Sequence, residues 1–157
     1  MTPPAQQSHM ERALEEAQRA GERNEVPIGA VIVDNSGRIV ASAGNETRAN
    51  NDPTAHAEIV VIREACKLLN AERLINCDIF VTLEPCAMCA AAISFARIRR
   101  LYYGASDPKG GAVESGSSFF SQSTCHHTPD IYPGLGQAQS AQLLRDFFKQ
   151  RRSHNLK

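Results

Sequence analysis

Three residues constrain this chain more than any others: His56 in His56-Ala57-Glu58, and Cys86 and Cys89 in Pro85-Cys86-Ala87-Met88-Cys89. One imidazole and two thiols can hold a tetrahedral zinc ion and leave its fourth position to water, the arrangement of a reacting rather than a structural metal. Whatever fold forms must therefore bring two segments about thirty positions apart to one point. Cys86 and Cys89, three apart, share a helix face one turn long. A helix starting after Pro85 would turn its positive end toward their thiolates and favour the deprotonated form. Glu58, two residues after the histidine, is left free to move protons.

Taken singly, these pieces have other uses. A Cys-x-x-Cys pair also serves as a thioredoxin-like redox couple, and a histidine beside a glutamate is commonly surface or satisfied core. Jointly, His-x-Glu followed by Pro-Cys-x-x-Cys is the signature of zinc nucleobase deaminases. A closed structural site fits worse, because Cys66, Cys77 and Cys125 stand isolated and suit small core positions. The pair His126-His127 reads as a surface loop rather than a second metal site.

At 157 residues, with 42% apolar and 22% charged residues, the chain suits one folded domain over 1–157 and excludes disorder. No run approaches the ~20 apolar residues of a membrane span. The first residues, Met1-Thr2-Pro3-Pro4-Ala5-Gln6-Gln7, lack the apolar segment of a signal peptide. Five irregularly spaced cysteines suit a reducing compartment, so the expected location is the cytoplasm and no membrane is involved. Formal net charge is zero, yet Arg145–Lys157 carries five basic residues against one acid, and Arg97, Arg99 and Arg100 form a second cluster. Solvated helix ends and contacts to phosphates both explain such clusters.

The periodicity predicts a helix over Met10–Gly21, with Met10, Ala13, Leu14 and Ala17 inward. Residues 28–33 and 38–43 flank Asp34-Asn35-Ser36-Gly37 as a hairpin. A helix should run from His56 to about Asn70, with His56, Ile59, Ile62, Cys66 and Leu69 as its core stripe. A strand over 78–83, a helix over 87–96 and a strand over 99–104 follow, then an irregular stretch over 114–137. A closing helix over 139–152 would pack Leu143, Leu144, Phe147 and Phe148. This order predicts an α/β fold, a three-layer α/β/α sandwich with a mixed central sheet. The metal is expected where helix N-termini meet the carboxyl ends of central strands.

The passages Glu25–Val31, Asp52–Glu58, Val81–Cys89, Tyr103–Ala112 and Phe147-Phe148 with Arg151-Arg152 resemble the cytidine-deaminase-like superfamily, over nearly the whole chain. Within it they are most similar to the bacterial tRNA adenosine deaminases, which make inosine at the anticodon wobble position. The resemblance implies a cytidine-deaminase-like fold, one Zn2+ per subunit on His56, Cys86 and Cys89, and Glu58 as proton shuttle. It implies that Asn45 contacts the target nucleoside and that Asp107 lies near the ribose beside the target base. Lys109, Arg151 and Arg152 match basic positions near the RNA backbone. It also implies a homodimer and a tRNA anticodon stem-loop as partner. Residues 116–133 depart most from the family pattern. The alternative is a deaminase of a free nucleobase or nucleoside such as cytosine, cytidine or guanine. A non-enzymatic zinc module would have no use for Glu58, and a redox protein would hold no stoichiometric zinc.

Overall fold

The strand Gly29–Val33 (β1) is buried along its whole length, and its alternate residues serve two different cores. Ala30 and Ile32 join one apolar cluster while Val31 and Val33 join the other, so both faces of the sheet are covered. In this computed structural model, which describes residues 4–155, five strands lie in the order β2-β1-β3-β4-β5. They are β1, β2 (Ile39–Gly44), β3 (Asp78–Leu83), β4 (Arg100–Ala105) and β5 (Asp130–Pro133). β1 runs antiparallel to both β2 and β3, whereas β3, β4 and β5 are parallel. The sheet is mixed, as expected. Helices α1 (Pro4–Glu22) and α4 (Gln137–Asn155) cover one face, α2 (Ala57–Leu69) and α3 (Ala87–Phe95) the other. That is the three-layer sandwich.

Small residues decide how closely these layers meet. α1 crosses β1 at Gly29, where any Cβ would collide with the Ala13 carbonyl. Its inward face is Met10, Ala13, Ala17 and Ala20, all buried. The helix begins at Pro4, six residues before the expected start, because proline is at ease in a first turn and the polar residues Gln6 and Gln7 extend it without an apolar signal.

On α2 the expected stripe is displaced. The buried positions are Ala57, Glu58, Val61 and Ala65, while Ile62 and Cys66 flank them half-buried and Leu69 is exposed. Alanines let the helix axis approach the sheet, so the face that touches it is less hydrophobic than its neighbours. The helix ends as its sequence suggests, at Asn70 in the left-handed conformation (φ 51°), whose amide bonds back to the last turn. In α4, Phe147 packs inward but Phe148 is exposed. The stretch expected to be irregular contains β5 and a short 3-10 turn, Phe119–Ser121. Among the described residues no helix is long and apolar enough to cross a membrane.

Candidate metal centre

His56 and Cys86 occupy the same structural position on two different helices. Each is the N-cap residue, in extended conformation (φ/ψ −67/154° and −72/176°), and neither side chain caps its own helix. Both side chains instead point into the space between the helix starts. Cys89 joins them from the first turn of α3 and is fully buried. The ligand atoms of the three residues lie within 4.8 Å of one another, the one such group among the described residues. His56 Nδ1 is 3.6 Å from Cys86 Sγ and 3.5 Å from Cys89 Sγ. A tetrahedral zinc with bonds of ~2.3 Å to sulfur and ~2.05 Å to nitrogen requires an N···S edge of about 3.6 Å. The donor set fits zinc in kind and in spacing.

The electrostatics agree. The Cys86 thiol is held well below its ordinary range, first by the neighbouring Cys89 and then by His56. The same contact, with burial, pushes Cys89 up. Opposite shifts at two adjacent sulfurs are what a divalent cation, which takes both as thiolates, would resolve. Glu58 is buried beside them, and burial pushes its carboxyl up to about 6. A carboxyl tuned near neutrality can both take and give a proton.

Because His56 does not cap α2, the helix takes a cap from elsewhere. Asn45 Oδ1 accepts the Ala57 N–H at 2.9 Å, so the buried Asn45 side chain stands one residue from the ligand. The loop after it is braced by a second buried acid. Glu25 accepts the N–H groups of Arg48 (3.1 Å) and Ala49 (2.8 Å) and the Thr47 hydroxyl (3.3 Å). Asp107 lies in the loop that follows β4, where its Oδ1 accepts the N–H groups of Lys109 and Gly110. That loop touches the metal half-site directly, through the Ala112 N–H to Pro85 carbonyl bond of 2.8 Å.

The basic residues separate into two groups. Arg99 is committed to Asp78 by two bonds of 3.0 Å and to Asn35, and Arg100 lies 3.7 Å from the same carboxylate. They sit where β3 and β4 begin, the sheet end opposite the metal centre, and are structural. At the other terminus Arg152 and Lys109 are exposed, whereas Arg151 lies over the Phe147 ring at 4.7 Å and donates to the Asn24 carbonyl at 2.9 Å. His127 bonds the Ile98 carbonyl at 2.7 Å, and neither it nor His126 joins a metal-holding group. Two residues that sequence reasoning did not single out, Glu25 and Glu84, prove to be the buried acids behind the loops of the site.

The cytidine and deoxycytidylate deaminase zinc-binding region is the family whose model matches this chain, over residues 3–105. Fold and donor set together define a zinc deaminase. A tRNA-specific adenosine deaminase of Agrobacterium fabrum is 66% identical over 149 residues, 94% of this chain and 97% of that protein. A solved structure from work on A-to-I editing by tRNA:A34 deaminases matches with a TM-score of 0.86 at 68% identity, covering 87% of this chain and 99% of the other. A guanine deaminase of Bacillus subtilis is more distant, with 35% identity and a TM-score of 0.63 over 80% of this chain and 82% of its own. The chain belongs to the cytidine and deoxycytidylate deaminase family, in its tRNA-specific adenosine deaminase branch.

Proposed function

We infer that this protein hydrolytically deaminates adenosine to inosine at the wobble position of a tRNA anticodon, with residues 1–157 acting as one catalytic domain. The observation that carries the reading is the pairing of the His56–Cys86–Cys89 group with a buried carboxyl, Glu58, two residues from His56, in a chain 66% identical to a tRNA-specific adenosine deaminase. Zinc held there by His56, Cys86 and Cys89 would supply a water that is nucleophilic at neutral pH. Glu58 takes a proton from that water and delivers it to adenine N1, which makes C6 electrophilic. Ionised again, Glu58 takes the second proton from the oxygen now on C6 and passes it to the exocyclic amine as C6–N6 breaks, so ammonia leaves and the oxygen stays on C6 as the carbonyl. Proton transfer by a positioned group of this kind contributes ~10²–10⁴ in rate.

Asn45, held beside the ligand by the Ala57 amide, is assigned to the target nucleoside, and Asp107 to the neighbouring ribose. Lys109, Arg151 and Arg152 are assigned to the RNA backbone, in an anticodon loop whose unpaired bases are cheap to extrude. A homodimer accounts for the apolar side chains left in water on the α2 and α3 side, where Phe95 is 75% and Leu68 65% exposed. A tRNA substrate and five free cysteines fit the cytoplasm.

Deamination of a free base is the second reading, favoured by the likeness to a guanine deaminase. One assay decides between them. Zinc-loaded protein is given an anticodon stem-loop, free guanine, cytosine or cytidine, and ammonia is measured. Inosine in the stem-loop alone supports the first reading, and turnover of free bases alone refutes it.

A further inference from the structure

Glu84 is a carboxylate with no part in the chemistry above, yet it is 2% exposed at the end of β3, two residues before Cys86. Such burial requires donors. Oε1 accepts the Asp107 N–H at 2.9 Å and the Ser115 hydroxyl at 3.0 Å. Oε2 accepts the N–H groups of Val113 and Glu114 at 3.0 Å and of Ser115 at 2.9 Å. Every one of these donors belongs to the loop that follows β4. That loop is irregular, so four of its amides have this single side chain as their partner in place of a sheet or helix. Gly111 makes the arrangement possible, since a Cβ there would stand 2.5 Å from Glu84 Cδ and 2.7 Å from Oε2. Pro85 fastens the same loop by accepting the Ala112 N–H at 2.8 Å.

We propose that Glu84 is a positioning residue for substrate: it fixes the Asp107–Ser115 loop against the Pro85-Cys86 start of the metal half-site, so that substrate meets a wall already in place. The proposal rests on the deaminase reading above and extends it to a residue outside the metal-holding group. One side chain joins the end of β3, just before the Cys86 start of α3, to the loop bearing Asp107. Any shift of the carboxylate therefore moves Asp107 relative to Cys86 and loosens the wall that substrate meets on binding.

The Glu84→Gln substitution keeps the shape. Its amide oxygen can serve either the Oε2 group of three N–H donors or the Oε1 pair, and in the first case an NH2 faces the Asp107 N–H. Zinc per chain, melting temperature, kcat and KM for the anticodon stem-loop are measured beside wild type. The expected result is one zinc per chain, KM raised about tenfold and kcat within about twofold, since a hydrogen bond to a charged group is worth about that factor. Loss of zinc, a fall in kcat at constant KM, or unchanged kinetics each overturn the proposal. Should Glu84→Gln fail to fold, Ser115→Ala removes one of the five contacts and leaves the carboxylate in place. It is expected to raise KM two- to threefold with zinc retained, and an unchanged KM overturns the proposal. A wild-type protein inactive on the stem-loop refutes the substrate reading, whereas an active wild type with an indifferent Glu84→Gln refutes only the role of Glu84.

Discussion

Glu25 gives the sharpest stability test, because its partners are backbone amides whose loss can be counted. The side chain is 1% exposed, and its two oxygens divide the work: Oε1 takes the Arg48 amide and Thr47 hydroxyl, Oε2 the Ala49 amide. Glu25→Gln keeps one oxygen and turns an NH2 toward the other donor, so at least one amide loses its partner. An unsatisfied donor costs about 1–3 kcal/mol. At ~2–4 °C per kcal/mol for a chain of this size, the melting temperature at pH 7 should fall by roughly 2–12 °C. The acid limb supplies an independent check. Burial alone would raise the Glu25 pKa, but the amides of Ala49 and Arg48 and the Thr47 hydroxyl outweigh it and hold the carboxyl below its ordinary 4.5. A group depressed on folding stabilises the fold fully above its unfolded value and loses that contribution as pH falls through the folded one. The gap between wild type and Glu25→Gln should therefore be constant from pH 7 to about 5 and narrow below 4.5. Thermal melts on both proteins across pH 3.5–7.5 measure it. Equal stability at pH 7, or a gap that does not shrink in acid, refutes the account of Glu25 as an ionised brace.

The remaining tests address the site. Glu58→Gln should keep one zinc per chain and lower kcat by ~10²–10⁴, read from metal analysis and turnover on one preparation; an active variant ends its role as proton shuttle. Cys89→Ser replaces a thiolate buried between two helices and should lose zinc and turnover together, checked by metal analysis after dialysis. Arg151→Ala with Arg152→Ala should weaken stem-loop binding and flatten its log–log salt dependence by up to ~1.4, at ~0.7 per phosphate contact on a single strand, with zinc unchanged. Unaltered affinity and slope would remove the end of α4 from the RNA surface.

The metal ligands were legible in the sequence because coordination chemistry restricts residue type and spacing together, and few alternatives satisfy both. The strands were legible for a similar reason: Asp78–Leu83 stands out as a short apolar run closed by Glu84-Pro85. The core face of α2 was not, because the residues that touch the sheet are Ala57, Val61 and Ala65, and apolarity points to the bulkier Ile62 and Cys66 beside them. Glu25 and Glu84 were hidden more deeply. An acid carries no mark of which amides it will meet, and the donors of Glu84 lie 23 to 31 positions away in a stretch without periodicity.

Asn45 shows how the visible and hidden parts of the site depend on each other. A ligand at an N-cap gives up capping, so placing His56 there leaves the first amides of α2 in need of an acceptor. Asn45 Oδ1 supplies it to Ala57 from eleven residues before His56. That contact also fixes which way the amide faces. With the oxygen engaged by a main-chain donor, the Nδ2 end is left over, so in the role proposed above Asn45 would meet a nucleoside as a hydrogen-bond donor to an acceptor atom. Asn45→Asp keeps the cap and abolishes that donor, whereas Asn45→Ala removes both. Asp should therefore match wild type in melting temperature while losing affinity for the stem-loop, and Ala should fall in both. An Asp variant that binds as wild type does would show that the capping role is the whole of what this residue contributes.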